Sequence, residues 1–379
     1  MLKLLHVSHD EKFIDRGLSY FYGDERVSNS LLIVTDKETN EYILTSEDYR
    51  LTTEKIANIK LIAMNYDVVV FHSLSNIFLR TIEYIEGKFL IWIGFGYDYY
   101  DLIYKTKYHL MMDETKKFYM SRVSNLDSVT LNKQIAEATF PDKKIELIKK
   151  INIFCPVLLS EYHLLHKHVK YLPEYSCWNY VYEEFEHMFK YGSFSVKKSI
   201  IVGNSADPSN NHLDILEKIK RIRFDEDIKV ITPLSYGNQK YANELELEFN
   251  TVFESSYISL RNFLSLKDYY DILLSANTCI MAHKRQQGLG NLIMMLKLGY
   301  RIFMNEDSPA YLFLRDNGII VYPLKMIDVL AERITEPLEL SVKYRNSRII
   351  SDLFSYKKNK IRTKEIIEKM YDFYNVSCD

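Results

Sequence analysis

The chain has 379 residues, of which 47% are hydrophobic and 14% aromatic, and its formal net charge at pH 7 is -2. This length and apolar content predict two domains with sizeable cores, and the near balance of charge argues against a nucleic-acid-binding protein, since such proteins are usually basic. The four cysteines form no CxxC pair and no zinc-like spacing with histidine. A reducing cytoplasm fits this usage, and no metal site is predicted.

The first half of the chain alternates short apolar runs with helical patterns. The runs are rich in Leu, Ile and Val and cover residues 2–7, 30–36, 67–72 and 88–93. Strands that alternate with helices indicate a parallel, doubly wound sheet, in which ligands bind outside the carboxyl ends of the strands. That rule selects the polar residues after three strands, which we expect to meet at one cleft: His6, Ser8, His9, Asp10, His72, Ser73, Ser75 and Asp98.

Residues 101–122 are dense in lysine and tyrosine. A basic, aromatic amphipathic helix can lie on an anionic membrane surface, and an ordinary packed helix with its lysines in water is the alternative. The residues that favour membrane contact are Tyr104, Lys105, Lys107, Tyr108, Lys116, Lys117 and Tyr119. A second basic stretch at residues 143–150 is the other candidate for such contact.

The periodicity blurs between residues 170 and 194, and we place the domain boundary near residue 190. A second alternating set begins at residue 199 and extends to residue 322. The predicted organisation is therefore a first domain at 1–190, a second at 191–325, and a helical tail at 326–379 that packs back on the first domain. In the second domain the candidate binding residues at strand exits are Gly203, Asn204, Ser205, Asn210, Tyr236 and Glu306.

The stretch AHKRQQGLGNL, residues 282–292, lies between a predicted buried strand and a predicted helix. A helix N-terminus offers unpaired N–H groups and a positive dipole end, glycine lets an anion approach closely, and an arginine can grip phosphate with two hydrogen bonds. The stretch thus predicts a phosphate or diphosphate cradle formed by Arg285, Gln287, Gly288, Leu289, Gly290 and Asn291. A glycine-eased turn with a solvated basic loop is the alternative, because the spacing is neither a Walker A motif nor a GxGxxG motif.

Two motifs in the second half resemble glycosyltransferase family 56. They are IVGNSADPSNNH at residues 201–212 and RQQGLG at residues 285–290, with weaker likeness at 92–99, 231–237 and 305–309. This family transfers 4-acetamido-4,6-dideoxy-D-galactose (Fuc4NAc) from its dTDP sugar to a polyprenyl-linked disaccharide in enterobacterial common antigen assembly. The resemblance covers residues 199–322 well, is sparse before them and is absent from the tail.

The resemblance implies a GT-B fold, in which two Rossmann-like domains face a cleft, the second holding the donor and the first the acceptor. It also implies a cytoplasmic enzyme, peripheral on the inner face of the cell membrane, that uses a dTDP-sugar and a lipid-linked saccharide and needs no metal or other cofactor. The cradle agrees with this chemistry, because a departing diphosphate needs its negative charge stabilised. The DED sequence at residues 225–227 has roughly the spacing of a metal-binding DxD motif but precedes a strand, at the wrong end of the sheet.

A general base for the acceptor hydroxyl is expected at the strand exits of the first domain. The candidates are Asp98, His9 and His72, and Asp98 leads because it follows the flexible Gly94-Phe95-Gly96 turn. Two other functions remain open. A Rossmann-type sugar-nucleotide oxidoreductase or epimerase would require a glycine fingerprint after the first strand, which HVSHD at residues 6–10 does not supply. A non-catalytic nucleotide-sugar-binding module is the other alternative.

Overall fold

The computed structural model describes residues 1–124, 128–180, 194, 198–225 and 227–376. The strands within these residues, numbered in chain order, are β1 (Leu2–Ser8), β2 (Val27–Val34), β3 (Tyr49–Leu51), β4 (Val68–His72), β5 (Phe89–Ile93), β6 (Ile153–Cys155), β7 (Glu174–Tyr175), β8 (Ser199–Val202), β9 (Val230–Pro233), β10 (Tyr257–Leu260), β11 (Ala276–Met281), β12 (Arg301–Met304) and β13 (Tyr322–Pro323).

The α-helices in the same ranges are α1 (Ile14–Tyr22), α2 (Ile59–Ala63), α3 (Asn76–Thr81), α4 (Asp113–Phe118), α5 (Ser128–Glu137), α6 (Asp142–Ile148), α7 (Leu159–His168), α8 (His212–Ile219), α9 (Gln239–Phe253), α10 (Leu266–Leu274), α11 (Leu289–Lys297), α12 (Pro309–Asp316), α13 (Met326–Val329), α14 (Leu340–Leu353) and α15 (Tyr356–Val376). None of these helices is both long enough and apolar enough to cross a bilayer.

The chain divides into two compact units, and each draws on more than one segment. The first unit consists of Met1–Ile103, Phe140–Glu183 and Phe354–Asp379, and the second of Tyr104–Thr139 and Glu184–Leu353. The predicted boundary near residue 190 lies outside the described residues. Two parts differ from the predicted organisation: residues 104–139 join the second unit, and the predicted tail is divided between the units, with α14 in the second and α15 in the first.

The first unit is built on a parallel sheet with the strand order β3-β2-β1-β4-β5-β6-β7. β4 and β5 are buried at every position, as expected for central strands covered on both faces. The strand order reverses between β1 and β4, so the chain leaves these neighbouring strands in opposite directions and opens a crevice at their carboxyl ends. The predicted doubly wound sheet is thereby confirmed.

The second unit repeats this plan with the order β10-β9-β8-β11-β12-β13, again parallel throughout. Its reversal point lies between β8 and β11, which pair directly. The short edge strands β3 and β7, and the more exposed β10, escaped the sequence prediction. Two or three residues are too few to show an alternating or continuous apolar pattern.

Residues 101–124 do not form one amphipathic helix, which corrects the predicted membrane surface. They fold as a 3-10 turn (Lys107–Leu110), α4, and a π-helical turn (Tyr119–Ser124). Tyr108 and Tyr119 are buried in the core of the second unit, and the Lys107 ammonium lies 5.6 and 5.1 Å from their ring centroids. These aromatic side chains are therefore not available to a bilayer.

The second basic stretch also includes a buried side chain. Lys144 is 4% exposed, its ammonium lies 2.8 Å from Asp101 Oδ1, and it also donates to the backbone carbonyl of Asp98. Lys143 and Lys149 form ion pairs with Glu83 and Glu146 at 3.0 and 2.7 Å. Lys144 thus fixes the turn after β5 instead of meeting lipid.

A chain of hydrogen bonds links two histidines in the core of the first unit. His6 Nε2 contacts Asn29 Oδ1 at 3.0 Å, His6 Nδ1 contacts His72 Nε2 at 3.0 Å, and the Tyr180 hydroxyl contacts His72 Nδ1. The Asn29 oxygen only accepts, so His6 Nε2 carries a hydrogen. One consistent orientation then runs from Tyr180 through His72 and His6 to Asn29, with both imidazoles neutral.

Buried neutral histidines predict that the fold loses stability in mild acid. Burial lowers the pKa of His6 to about 4 and that of His212 and His283 to about 3, and it lowers the pKa of His72 well below its ordinary value. The unfolded chain binds protons below about pH 6.5 while the folded chain does not, so this effect is absent above that pH and grows as the pH falls towards about 4. Each group contributes about 1.4 kcal/mol of lost stability at about pH 5.5.

Urea unfolding at a series of pH values measures this loss of stability. The urea concentration at the unfolding midpoint is expected to fall as the pH is lowered. His6→Gln keeps a donor for Asn29 and is expected to flatten the dependence, whereas a glutamine at the exposed His163 leaves it unchanged. A midpoint that is constant over the acid range would contradict the assignment of neutral buried histidines.

Candidate active site

The loop after β8 begins at a glycine whose backbone conformation and close neighbours disfavour any side chain. Gly203 has φ +69°, and a Cβ there would lie 2.6 Å from His212 Nε2 and 2.8 Å from Asn210 Oδ1. Further along, the Asp207 side chain accepts from Ser209 N at 2.8 Å, and Asn211 adopts φ +58°, a conformation that asparagine tolerates better than most residues. The loop therefore turns back over the end of its own strand.

The Asn210 carboxamide joins this loop to the exit of β11. Its Oδ1 accepts from Asn204 N and from His283 Nε2, each at 2.8 Å. Its Nδ2 donates to Ser205 Oγ at 3.1 Å and to the carbonyl of Asp207 at 2.9 Å. Both acceptor positions and both donor hydrogens of this buried side chain are thus used.

Polar side chains above Asn210 connect the exits of β8, β9 and β11. Asn204 Nδ2 donates to the Tyr236 hydroxyl at 2.9 Å, and Ser209 Oγ donates to Gln287 Oε1 at 2.9 Å. Gln287 Nε2 lies 3.4 Å from both Asn204 Oδ1 and Ser205 Oγ. The structure therefore brings together predicted binding residues from three loops at the reversal point of the sheet.

α11 opens beside this group. Gly288 precedes it with φ +65° and provides no side-chain cap, and a Cβ at this position would lie 3.0 Å from Asn204 Cγ. The first N–H groups of a helix, here those of Leu289, Gly290 and Asn291, lack acceptors within the helix and carry the positive end of its dipole. The bare glycine lets an anion approach them, as the cradle prediction requires.

Arg285 is half-buried in the same loop, between β11 and α11. Burial raises the pKa of the Tyr236 phenol, and the Arg285 charge partly offsets that rise. The same charge, after the larger effect of burial, lowers the pKa of His283. These two interactions place the guanidinium within electrostatic range of both neighbouring exits.

Glu306 lies after β12, where the prediction placed it, but its carboxylate pairs with Lys325 at 3.0 Å on a largely exposed surface. Among the described contacts, none joins it to the Asn204–Gln287 group. Within the described ranges no cluster of histidine, cysteine and carboxylate side chains suited to a metal ion is found. The acidic turn at 225–227 follows α8 and precedes β9, at the amino edge of the sheet, and its central residue is not described.

In the first unit, side-chain hydrogen bonds connect the loops that follow β1, β4 and β5. His9 Nε2 lies 2.9 Å from Ser75 Oγ, and the Tyr97 hydroxyl donates to Ser73 Oγ at 2.9 Å. Asp98 Oδ2 accepts from Leu74 N at 2.7 Å. The three loops that the sequence analysis selected are therefore adjacent.

The surroundings of His9 fix which ring nitrogen is basic. Its Nδ1 lies 3.0 Å from the carbonyl oxygen of Val34, which can only accept, so Nδ1 carries the hydrogen. Nε2 then presents its lone pair to the Ser75 hydroxyl, and the ring stacks on Phe78 with centroids 4.3 Å apart. Burial lowers the pKa of His9, so the imidazole is neutral near pH 7 and able to take a proton.

The Asp98 carboxylate, the leading base candidate of the sequence analysis, is occupied by hydrogen bonds within its own unit. Its carboxylate is 3% exposed and accepts from Leu74 N and Trp92 Nε1, each at 2.7 Å, and from Phe95 N at 2.8 Å. Burial raises the pKa of this carboxyl, and the hydrogen bonds oppose the rise. A carboxylate held by three donors fixes the turn after β5 and is poorly placed to accept a substrate proton.

His72 is buried completely and belongs to the hydrogen-bonded chain with His6 and Tyr180. Both of its ring nitrogens are engaged, so it fits a structural role better than a catalytic one. Of the three predicted base candidates, His9 alone is both partly accessible and presents an unprotonated nitrogen to a hydroxyl.

Sequence reasoning missed four contributors to the second-unit site: Ser209, Asn211, His283 and Lys284. All four are bonded to partners more than 70 positions away in the sequence, such as Ser209 to Gln287 and His283 to Asn210. The strand-exit rule would have included His283, which lies in the loop after β11. The sequence does not reveal that Asn210 is its hydrogen-bond partner.

Comparison with known proteins agrees with this geometry. Residues 183–338 match the family model described as 4-alpha-L-fucosyltransferase glycosyl transferase group 56. The match spans β8 to β13, including both exit loops that form the group around Asn210.

Solved glycosyltransferase structures share the fold across nearly the whole chain. HepE of Anabaena, in complex with UDP and glucose, superposes with a TM-score of 0.60 at 9% identity, covering 97% of this chain and 100% of that one. A glycosyltransferase from Rickettsia africae gives 0.59 at 12% identity, covering 98% of each chain. The E. coli trehalose-6-phosphate structure bound with UDP-2-fluoro glucose gives 0.65 at 7% identity, covering 97% of this chain and 98% of that one.

Two parallel, doubly wound units with a C-terminal helix, together with these likenesses, establish the GT-B architecture. The resemblance on which the sequence analysis rested is confirmed by the family match. The chain is a GT-B glycosyltransferase that acts on a sugar donor and an acceptor, and its residues 183–338 match the family model of glycosyl transferase group 56.

Proposed function

We propose that this enzyme transfers a (deoxy)amino sugar such as Fuc4NAc from a dTDP-sugar to a polyprenyl-diphosphate-linked saccharide in surface polysaccharide assembly. The observation that carries the proposal is the cradle at the β8–β11 reversal point, where α11 opens without a side-chain cap beside Arg285. The group 56 match supports glycosyl transfer. The UDP complex of the similar HepE structure supports a nucleoside diphosphate as the leaving group.

The proposed chemistry uses the cradle when the glycosidic bond breaks. Negative charge then develops on the departing diphosphate, and fixed donors aimed at that charge stabilise the transition state. The N–H groups of Leu289 and Gly290 and the Arg285 guanidinium supply such donors. Asn204, Ser205, Asn210 and Gln287 hold one another in place, so the loop needs little rearrangement when the donor binds.

The acceptor half of the proposal rests on His9. Its Nε2 has a lone pair directed at a hydroxyl, Ser75 Oγ, in the apo arrangement. An acceptor hydroxyl that replaces Ser75, or transfers its proton through Ser75, would reach the same nitrogen. In this scheme Asp98 and His72 support the loops that carry His9 and Ser75 without touching substrate.

The lipid-linked acceptor implies that the enzyme works at the inner face of the cell membrane as a peripheral protein. Because Tyr108, Tyr119 and Lys144 are buried, this attachment would use other surfaces than those the sequence suggested. Flotation with anionic vesicles tests the attachment directly, and its electrostatic part is expected to weaken with added salt.

The donor proposal predicts that Arg285→Ala weakens nucleotide binding by at least about tenfold, since a charge-assisted hydrogen bond contributes roughly 1.5–3 kcal/mol. Calorimetric titration with dTDP, UDP and GDP measures the affinity and ranks the bases. The matched control is Arg315→Ala, which removes an arginine that is 57% exposed and pairs with Asp316. Equal affinity of Arg285→Ala and the parent for the best nucleotide would remove Arg285 from the site.

Two glycines with the same backbone conformation allow a test of whether the nucleotide must approach the backbone closely at Gly288. Gly288 and Gly87 have φ +65° and +66°, but only at Gly288 does an added Cβ meet a neighbour, Asn204 Cγ at 3.0 Å. Alanine at either position is expected to cost about 1–2 kcal/mol of stability through its left-handed conformation. Only Gly288→Ala should also weaken nucleotide binding, and similar nucleotide affinities in both variants would contradict the cradle.

The acceptor proposal predicts that His9→Gln lowers transfer by roughly a hundredfold or more while donor affinity is unchanged. Burial lowers the pKa of His9. The parent enzyme is therefore expected to lose activity only below about pH 6.5, the ordinary pKa of histidine. Asp98→Asn places an amide among three donors and should reduce stability more than it reduces transfer per folded molecule. A His9→Gln enzyme that transfers sugar at the parental rate would rule out this base.

A further inference from the structure

Residues 104–112, called the strap below, join the donor-side unit although their neighbours in sequence, up to residue 103, belong to the first unit. The strap runs from Tyr104 to the residue before α4 and includes the 3-10 turn Lys107–Leu110. It makes contacts at the exits of β12, β11 and β8, the strands that surround the cradle.

The attachment at the β11 exit uses Lys284. Its ammonium donates to the carbonyl oxygen of Met111 at 2.9 Å and to that of His109 at 3.3 Å. These carbonyls lie at the end of the 3-10 turn, where free acceptors carry partial negative charge, so a lysine ammonium there is favourable. Lys284 is therefore already engaged by the strap, and Arg285 is the cation of this loop that remains for a phosphate.

The attachment at the β8 exit uses the buried carboxamide of Asn211. Its Nδ2 lies 2.7 Å from the carbonyl of Ala282 and 3.3 Å from that of Leu110, and its Oδ1 accepts from Met112 N at 2.7 Å. One side chain thus binds the β8 loop, the β11 exit and the strap. The residue must adopt φ +58° and both donate and accept, two requirements that asparagine meets together.

The strap reaches the β12 exit at Tyr104. Burial raises the pKa of the Tyr104 phenol, and the nearby carboxylate of Asp307 raises it further. Asp307 follows β12 and lies in the loop whose Asn305 side chain accepts from the Asp307 N–H at 3.0 Å. The strap is therefore bonded to the exits of β8 and β11, and its first residue lies within electrostatic range of the β12 exit.

The packing beneath the strap shows that it is fixed in position. Tyr108 and Met111 are buried in the core of the second unit. At the start of α4, the Asp214 carboxylate accepts from Glu114 N and Thr115 N at 3.0 Å each, and Thr115 Oγ1 accepts from Leu213 N at 3.2 Å. These reciprocal caps bind α4 to α8, so the strap is held at its end as well as along its length.

We infer that the strap is a fixed wall of the nucleotide-sugar site, and that Lys284 and Asn211 are positioning residues that hold this wall against the cradle. The inference rests on the proposed donor function of the cradle. It assigns the donor site to three segments of the chain, of which the strap lies outside the family-matched range at 183–338. It also assigns Lys284 to the strap and not to the diphosphate.

The test compares Lys284→Met and Asn211→Gly with the parent. Glycine accepts the left-handed backbone of Asn211 and removes its side chain, including the carboxamide. Lys117→Met is the control, because Lys117 is 72% exposed, follows the strap and pairs only with Glu114 among the described ion pairs. Hydrogen exchange of residues 109–112, thermal melting, and the affinities for dTDP and dTMP are measured for each protein.

The expected result is faster exchange of residues 109–112 in both variants and a weakening of dTDP and dTMP binding by a similar factor, at least about fivefold. Donor KM should rise more than kcat falls, and Lys117→Met should behave as the parent. A loss confined to dTDP would make Lys284 a ligand of the second phosphate, which dTMP lacks, and overturn the inference. Faster exchange or lower melting with unchanged nucleotide affinity would reduce the strap to a stabilising role and also overturn it.

The outcome with the parent protein separates the two proposals. If the parent binds dTDP and dTMP and the variants bind them equally well, the proposal that the strap is a wall of the site is contradicted. The proposal that the cradle binds the diphosphate is then unaffected. If the parent binds neither of these nucleotides and also fails to bind UDP and GDP, both the cradle and the wall are contradicted.

Discussion

The carboxamide of Asn210 makes the interactions on which the candidate site of the second unit depends. Parallel strands that part at β8 and β11 leave a crevice between two loops, and buried backbone groups in such loops need partners. Asn210 supplies them, since it accepts from Asn204 N and His283 Nε2 and donates to Ser205 and Asp207. Because all the hydrogen-bonding groups of the Asn210 carboxamide are used, the loop beside the cradle is held in one arrangement. A preorganised anion site requires such a fixed loop.

Buried and partly exposed histidines have different tasks in this protein. His283 and His212 are buried beneath the β8 and β11 exit loops, where burial lowers their pKa to about 3, and they act there as neutral hydrogen-bonding groups, as His6 and His72 do in the first unit. His9 is only partly buried and is held by Val34 with its basic nitrogen towards a hydroxyl. The same side chain thus stabilises a loop in one setting and is suited to proton transfer in the other, and exposure decides between them.

Much of the fold was predictable because its cause is local. Continuous apolar strands separated by helical patterns indicate parallel sheets, and the strand-exit rule then located Asn204, Asn210 and the Arg285–Asn291 stretch. The same rule brought His9, Ser75 and Asp98 to one edge of the first sheet. The family motifs at 201–212 and 285–290 lie in the two loops that the Asn210 carboxamide joins.

Two departures from the sequence predictions share one physical origin, which is burial against partners that the sequence pattern does not reveal. The lysines and tyrosines at 104–119 have a surface-like composition, yet Tyr108 and Tyr119 pack in the second core because α8 and α9 offer them apolar surface. Asp98 looks like a catalytic carboxylate until Leu74, Trp92 and Phe95 are seen to donate to it. Periodicity shows that a helix or strand has an apolar face, but tertiary structure decides which other element that face packs against.

The most direct test of this account is a co-crystal structure with dTDP. The account predicts the diphosphate at the amino end of α11, within hydrogen-bonding distance of Leu289 N and Gly290 N and in contact with the Arg285 guanidinium, at about 2.7–3.2 Å. A diphosphate bound instead at the exits of β1 and β4, or bound away from α11 in the second unit, would contradict it.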